Sequence, residues 1–143
     1  MPTIETLYLG GLRTEATHSK SGTKILTDAP VDNHGKGEAF SPTDLTATSL
    51  GSCMLTIIGI LAERDHLELT GTHLSITKTM SADIPRRIVK IEINAKLESD
   101  RELSDYEQDK FERAARSCPV ALSLHPDIEQ FITFQWHVTE NKN

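Results

Sequence analysis

Two cysteines are the residues of this 143-residue chain best suited to covalent chemistry. Cys53 stands in the apolar run Leu50-Gly51-Ser52-Cys53-Met54-Leu55-Thr56-Ile57-Ile58, and Cys118 in Ala114-Ala115-Arg116-Ser117-Cys118-Pro119-Val120. A cysteine alone in an apolar helix is most often small core filler, because free thiols rank among the most buried side chains. Cys118 weighs against that reading. A helix opened by Pro119 would aim free backbone N–H groups and the positive end of its dipole at the Cys118 sulfur, which favours thiolate. Together the two suit a thiolate nucleophile and a second thiol that resolves its oxidised form. Their spacing in the chain leaves open whether they meet.

Other chemistries fit less well. A zinc site built on two cysteines places them two to four residues apart, with further ligands similarly clustered. Here the six histidines (18, 34, 66, 73, 125 and 137) are scattered, so no metal is expected. There is no Cys-x-x-Cys pair and no local signature of a Cys–His protease. Gly10-Gly11 lacks the pattern of a phosphate-binding loop.

Composition narrows the classes further. A formal net charge of −6 without a clustered basic face argues against nucleic acid or an anionic membrane surface as partner. The apolar run Leu50 to Ala62 is interrupted by Ser52 and Thr56, and falls short of the roughly 20 residues that cross a bilayer. No basic stretch precedes an apolar segment at the N-terminus, so a cytoplasmic location is expected. In that reducing compartment a permanent disulfide is not. The chain reads as one domain, residues 1–143, large enough to bury its own core.

The elements that must position the cysteines are partly legible. The N-terminal stretch is extended, and Ser19-Lys20-Ser21-Gly22 turns the alternating segment Leu12 to Thr17 into Thr23 to Asp28 as a hairpin. Pro30 to Phe40 is a polar loop. Ser41-Pro42-Thr43-Asp44 opens a helix: Ser41 caps, Pro42 takes the first position and Asp44 reaches back to complete a capping box. This helix runs to about Arg64 or His66 and is apolar nearly all round, which predicts burial on every side. Gly51 and Gly59 lower its propensity, so another element should approach closely at both. Strands follow around Leu74 to Ile76 and Val89 to Leu97. Ser104 and Glu107 cap a helix that breaks at Cys118, before proline, and a short helix then covers Val120 to Leu124. Ile132, Phe134, Trp136 and Val138 share one face of a last strand. That order describes an α+β domain with helices stacked on an antiparallel-rich sheet.

Ser41-Pro42-Thr43-Asp44-Leu45 leading into Leu50-Gly51-Ser52-Cys53, the strand around Ile88 to Leu97, and Ala114 to Val120 with Ser123-Leu124 resemble the OsmC/Ohr family of osmotically inducible and organic hydroperoxide resistance proteins. The resemblance spans nearly the whole chain. It implies an intertwined homodimer, with antiparallel-rich sheets wrapped around long central helices and active sites at the subunit interface. It also implies that Cys53 is the peroxidatic thiolate and Cys118 the resolving thiol, with organic hydroperoxides as substrate and an external dithiol as reductant. No metal, haem or flavin is implied.

In the better-studied peroxidase branch an arginine activates the cysteine and a glutamate holds the arginine. The glutamate position falls on Thr43 here, and Asp44 is its neighbour, as substitute or as helix cap. The arginine's nearest equivalent is Lys20, with Arg13 a cation on the preceding strand. Lysine lacks the bidentate fork of arginine. Two further readings stand beside the peroxidase: a non-catalytic dimer that binds a small apolar ligand or electrophile, and a thiol-disulfide reductase acting on proteins.

Overall fold

The computed structural model describes residues 1–139 and divides into a first unit, Met1–Thr46, and a second that begins at Ala47.

The first unit is an antiparallel sheet in the order β1 (Ile4–Gly10), β2 (Arg13–His18), β3 (Lys24–Asp28). The β2–β3 hairpin is the one expected from its turn residues, with Gly22 in the left-handed region at φ 75°. β1 completes the sheet by pairing with β2 from Ile4↔His18 to Gly10↔Arg13. The loop after β3 holds a single 3-10 turn, Val31–Asn33. It returns to the sheet where Phe40 bridges Thr27. Helix α1 (Pro42–Arg64) starts here, with the reciprocal cap predicted for it. Asp44 N–H donates to Ser41 Oγ at 3.0 Å, and Ser41 N–H donates to Asp44 Oδ2 at 2.9 Å.

The second unit packs the rest of α1 and two further helices on the sheet β4 (His73–Met80), β5 (Ile88–Ser99), β6 (Glu129–Val138). β4 and β5 form an antiparallel hairpin, whereas β5 and β6 run parallel from Lys90↔Glu129 to Ser99↔Val138. A parallel pair needs a crossover connection. Helices α2 (Asp105–Arg116) and α3 (Pro119–Ser123) supply it. The strict alternation of β5 turns Ile91, Ile93, Ala95 and Leu97 into the core, where they meet Leu50, Met54 and Ile58 of α1 and Phe111 of α2. Phe111 and Trp136 pack tilted, ring centroids 5.8 Å apart.

Three expectations for α1 need correction. Its buried residues (Ala47, Leu50, Gly51, Met54, Ile58, Ala62) form one stripe, while Ser49, Ser52, Thr56 and Ile60 are exposed. A helix packed on a sheet buries one face, so burial on every side is not achieved within the chain. With 23 residues, α1 is also long and apolar enough to cross a membrane by length and composition, contrary to the sequence reading. The apolar run extends past Leu50 to Ala62 because the cap and first turns are uncharged except for Asp44. Close approach occurs at Gly51, where a Cβ would lie 2.6 Å from Ile76 Cδ1. At Gly59, among the described residues, no atom beyond the neighbouring residues and the local helix backbone lies within 4 Å of that position.

Candidate active site

Cys53 sits midway along α1, half-buried at the edge of the core that contains Cys118. Cys118 is placed by the proline after it. Pro119 excludes helical backbone at the preceding residue, and Cys118 adopts φ −66° and ψ 153° between α2 and α3. Its N–H donates to Ala115 O at 3.2 Å, closing α2, and its carbonyl accepts from Leu122 N at 3.1 Å, opening α3. The break turns the side chain inward: Cys118 is 0 % exposed.

The two side chains are neighbours, close enough for the Cys53 thiol to act on the Cys118 thiol, and both cysteines are free. Contact between them is the property that spacing left open. The protonation of Cys118 departs from the sequence expectation. Burial pushes the Cys118 thiol above its ordinary value of 9.0. The Ala121 and Val120 amides pull it down, as a helix N-terminus should, while the neighbouring Cys53 thiol pushes it up. Desolvation wins because α3 is only five residues long and Cys118, the residue just before it, is wholly enclosed. Cys118 is therefore a thiol at rest, with the half-exposed Cys53 beside it.

The three charged candidates lie in the first unit. Arg13 is held by two carboxylates: Nε donates to Asp28 Oδ1 at 2.7 Å, and Nη2 donates to Asp28 Oδ2 and to Glu38 Oε2, each at 2.8 Å. Asp28 is 1 % exposed and also accepts from Glu38 N–H at 3.0 Å. The Arg13 guanidinium holds its carboxyl below the ordinary carboxylate value. This fork-to-fork geometry is what lysine cannot supply. Lys20 is exposed in the β2–β3 turn, where it lines a pocket with Met1, Thr3, His18 and Ser19. Asp44 is engaged in the Ser41 cap, and Thr43 Oγ1 lies 3.2 Å from Ser41 Oγ.

Asp28 and Glu38 are the partners sequence reasoning missed. Asp28 was within reach, since the hairpin turn alone sets Arg13 directly opposite it. Glu38 comes from the irregular loop, where no periodicity points to a partner. Among the described residues, no group of three or more His, Cys, Asp or Glu side chains is gathered as metal ligands would be.

Comparison with known proteins places these features in a family context. The family model for OsmC-like proteins matches residues 35–130, which include both cysteines. A crystal structure from Psychrobacter arcticus 273-4, of a protein named for a supposed role in osmotic stress and detoxification, is similar at 52 % identity and TM-score 0.88. The match covers 94 % of this chain and 96 % of that one. An organic hydroperoxide resistance protein OsmC from Legionella pneumophila shares the fold at 16 % identity and TM-score 0.71, over 94 % and 97 % of the two chains. So does an OsmC-like protein of unknown function from Vibrio cholerae, at 11 % identity and TM-score 0.78, over 92 % and 97 %. No curated protein matches.

Proposed function

Because the chain belongs to the OsmC-like protein family, we propose that it is a thiol-dependent peroxidase that reduces organic hydroperoxides. The observation that carries this reading is the contact between a half-exposed Cys53 and a fully buried Cys118. A peroxide reaches Cys53 first. The Cys53 thiolate attacks the terminal peroxide oxygen, the O–O bond breaks, and the alcohol leaves with a proton, giving a sulfenic acid. Cys118 then attacks that sulfur and water leaves, forming a disulfide. An external dithiol restores both thiols by exchange. The apolar border of the site favours an organic peroxide over hydrogen peroxide.

Of the charged candidates, Arg13 is the best prepared to orient or activate a thiolate, because Asp28 and Glu38 fix its guanidinium. The chain works as a homodimer in this reading. Ile4, Leu7 and Tyr8 of β1 are 58 %, 61 % and 63 % exposed, and the open side of α1 at Ile60 and Gly59 offers a seat for a second helix. Sedimentation equilibrium tests the assembly: dimer is expected at micromolar concentration, and Gly59→Leu should weaken it.

Adding one equivalent of cumene hydroperoxide to reduced protein tests the chemistry. Rapid loss of two free thiols with a mass decrease of about 2 Da is expected. Survival of both thiols in excess peroxide would instead favour a non-catalytic dimer that binds an apolar ligand or electrophile. That second reading draws on Thr43, which has no charge, and on Asp44, which is engaged as a cap.

A further inference from the structure

We propose that the Cys53–Cys118 pair is a two-sulfur capture site for trivalent organoarsenicals, and that a captured arsenical closes the site to peroxide. The proposal rests on the thiol pair of the peroxidase reading and adds a ligand class to it. Two free thiols from distant parts of the chain belong to one apolar cluster, Cys118 buried within it and Cys53 partly buried against it, near enough to act on each other. No further cluster of ligating side chains stands with them among the described residues. A zinc ion would lack the four ligands it prefers, whereas an arsenic centre carrying one carbon substituent needs only two sulfurs.

Protonation separates the classes further. Metal ions require thiolates and expel protons into solution, and burial opposes that at Cys118. Condensation with an arsenical starts from neutral thiols. In phenylarsine oxide the arsenic–oxygen bond is replaced by two arsenic–sulfur bonds. The two thiol protons leave with the oxygen as one water, and arsenic stays trivalent throughout. No oxidant or reductant takes part. Cys53 is the point of entry, since Cys118 is fully enclosed, and the second condensation is then intramolecular. The phenyl group replaces water against the apolar residues that border both cysteines.

Titrating the reduced full chain with phenylarsine oxide tests this, using intact mass and a count of free thiols. The expected product is a 1:1 adduct in which both thiols are lost, which excess 2-mercaptoethanol leaves intact and 2,3-dimercaptopropanol reverses. Cys118→Ser and Cys118→Ala, each checked for native circular dichroism, should bind about 10²–10⁴-fold more weakly, because the second attachment no longer benefits from its high effective concentration. Peroxide added to the wild-type adduct should give no disulfide. A wild-type adduct stripped by monothiol as easily as that of the variants, or one in which a cysteine stays titratable, would overturn the proposal. Two-sulfur capture in a protein whose thiols ignore cumene hydroperoxide would sink the peroxidase reading alone. Disulfide formation by peroxide without two-sulfur capture would sink this one alone.

Discussion

Replacing Gly51 by alanine sets helix propensity directly against packing. In an unencumbered helix the change gains about 1 kcal/mol. In α1 the new Cβ would stand 2.6 Å from Ile76 Cδ1, 3.0 Å from Leu74 Cδ1 and 3.6 Å from Ile76 Cγ1. The first distance is closer than carbon atoms pack, so the Ile76 side chain, or β4 or α1 with it, must shift, at an overpacking cost of about 1–3 kcal/mol. The net expectation is a loss of about 0–2 kcal/mol. Ile76→Val removes Cδ1 and alone costs about 0.5–1.5 kcal/mol. In the double variant it also removes the atom that the added methyl group would strike. The pair should therefore be less destabilised than the sum of its parts, by about 1 kcal/mol. Urea unfolding of the four proteins at one concentration, followed by fluorescence of the single tryptophan, Trp136, measures the cycle. Midpoints should move while the slopes stay constant. Additivity within about 0.5 kcal/mol, or a Gly51→Ala protein stabilised by the full propensity gain, would refute the claim that β4 demands glycine there.

Other consequences are as direct. Cys118→Ser should leave Cys53 without its resolving partner, so that repeated peroxide additions carry Cys53 past sulfenic to sulfinic acid, seen as stepwise oxygen addition by intact mass. Ser104→Ala removes the oxygen that accepts from Glu107 N–H at 3.2 Å, and should cost about 0.5–2 kcal/mol in unfolding free energy. Stability should fall at both ends of the pH range. The Asp28 carboxyl lies below its ordinary 3.8, so its contribution is present above that value and is lost as pH falls through the folded value. The Cys118 thiol lies above 9.0, so its contribution is present below 9.0 and fades as pH climbs through the folded value. Thermal melts of wild type and Asp28→Asn across acid pH should converge as the carboxyl protonates. In stopped-flow disulfide closure, the rate should still be rising with pH at 9.0.

What could be read in the sequence is what local chemistry decides. Ser41 with Asp44 and Ser104 with Glu107 mark helix starts through bonds spanning three residues, and both caps are present. The alternation in β5 states which side faces the core without reference to any partner. Partners themselves are non-local. The parallel alignment of β6 with β5 and the meeting of Cys53 with Cys118 join segments far apart in the chain, about which periodicity is silent. The protonation of Cys118 was misjudged for the same reason. The helix N-terminus beside it is visible in Pro119, but the enclosure that outweighs it is built by residues from elsewhere. Arg13 lies between these cases: its opposition to Asp28 follows from one turn, and its bond to Glu38 does not.

The parallel pairing of β6 with β5 makes Cys118 a passenger on the crossover between them. Its position is tied to the crossover that carries the chain from β5 to β6. Until that crossover forms, the two sulfurs are independent thiols on a flexible polymer, and an oxidant meeting Cys53 would find no neighbour to close the bond. If the chain is the peroxidase proposed, disulfide closure is thereby coupled to the docking of β6. A chain halted before that step would then accumulate oxygen on Cys53 where a folded one closes a ring.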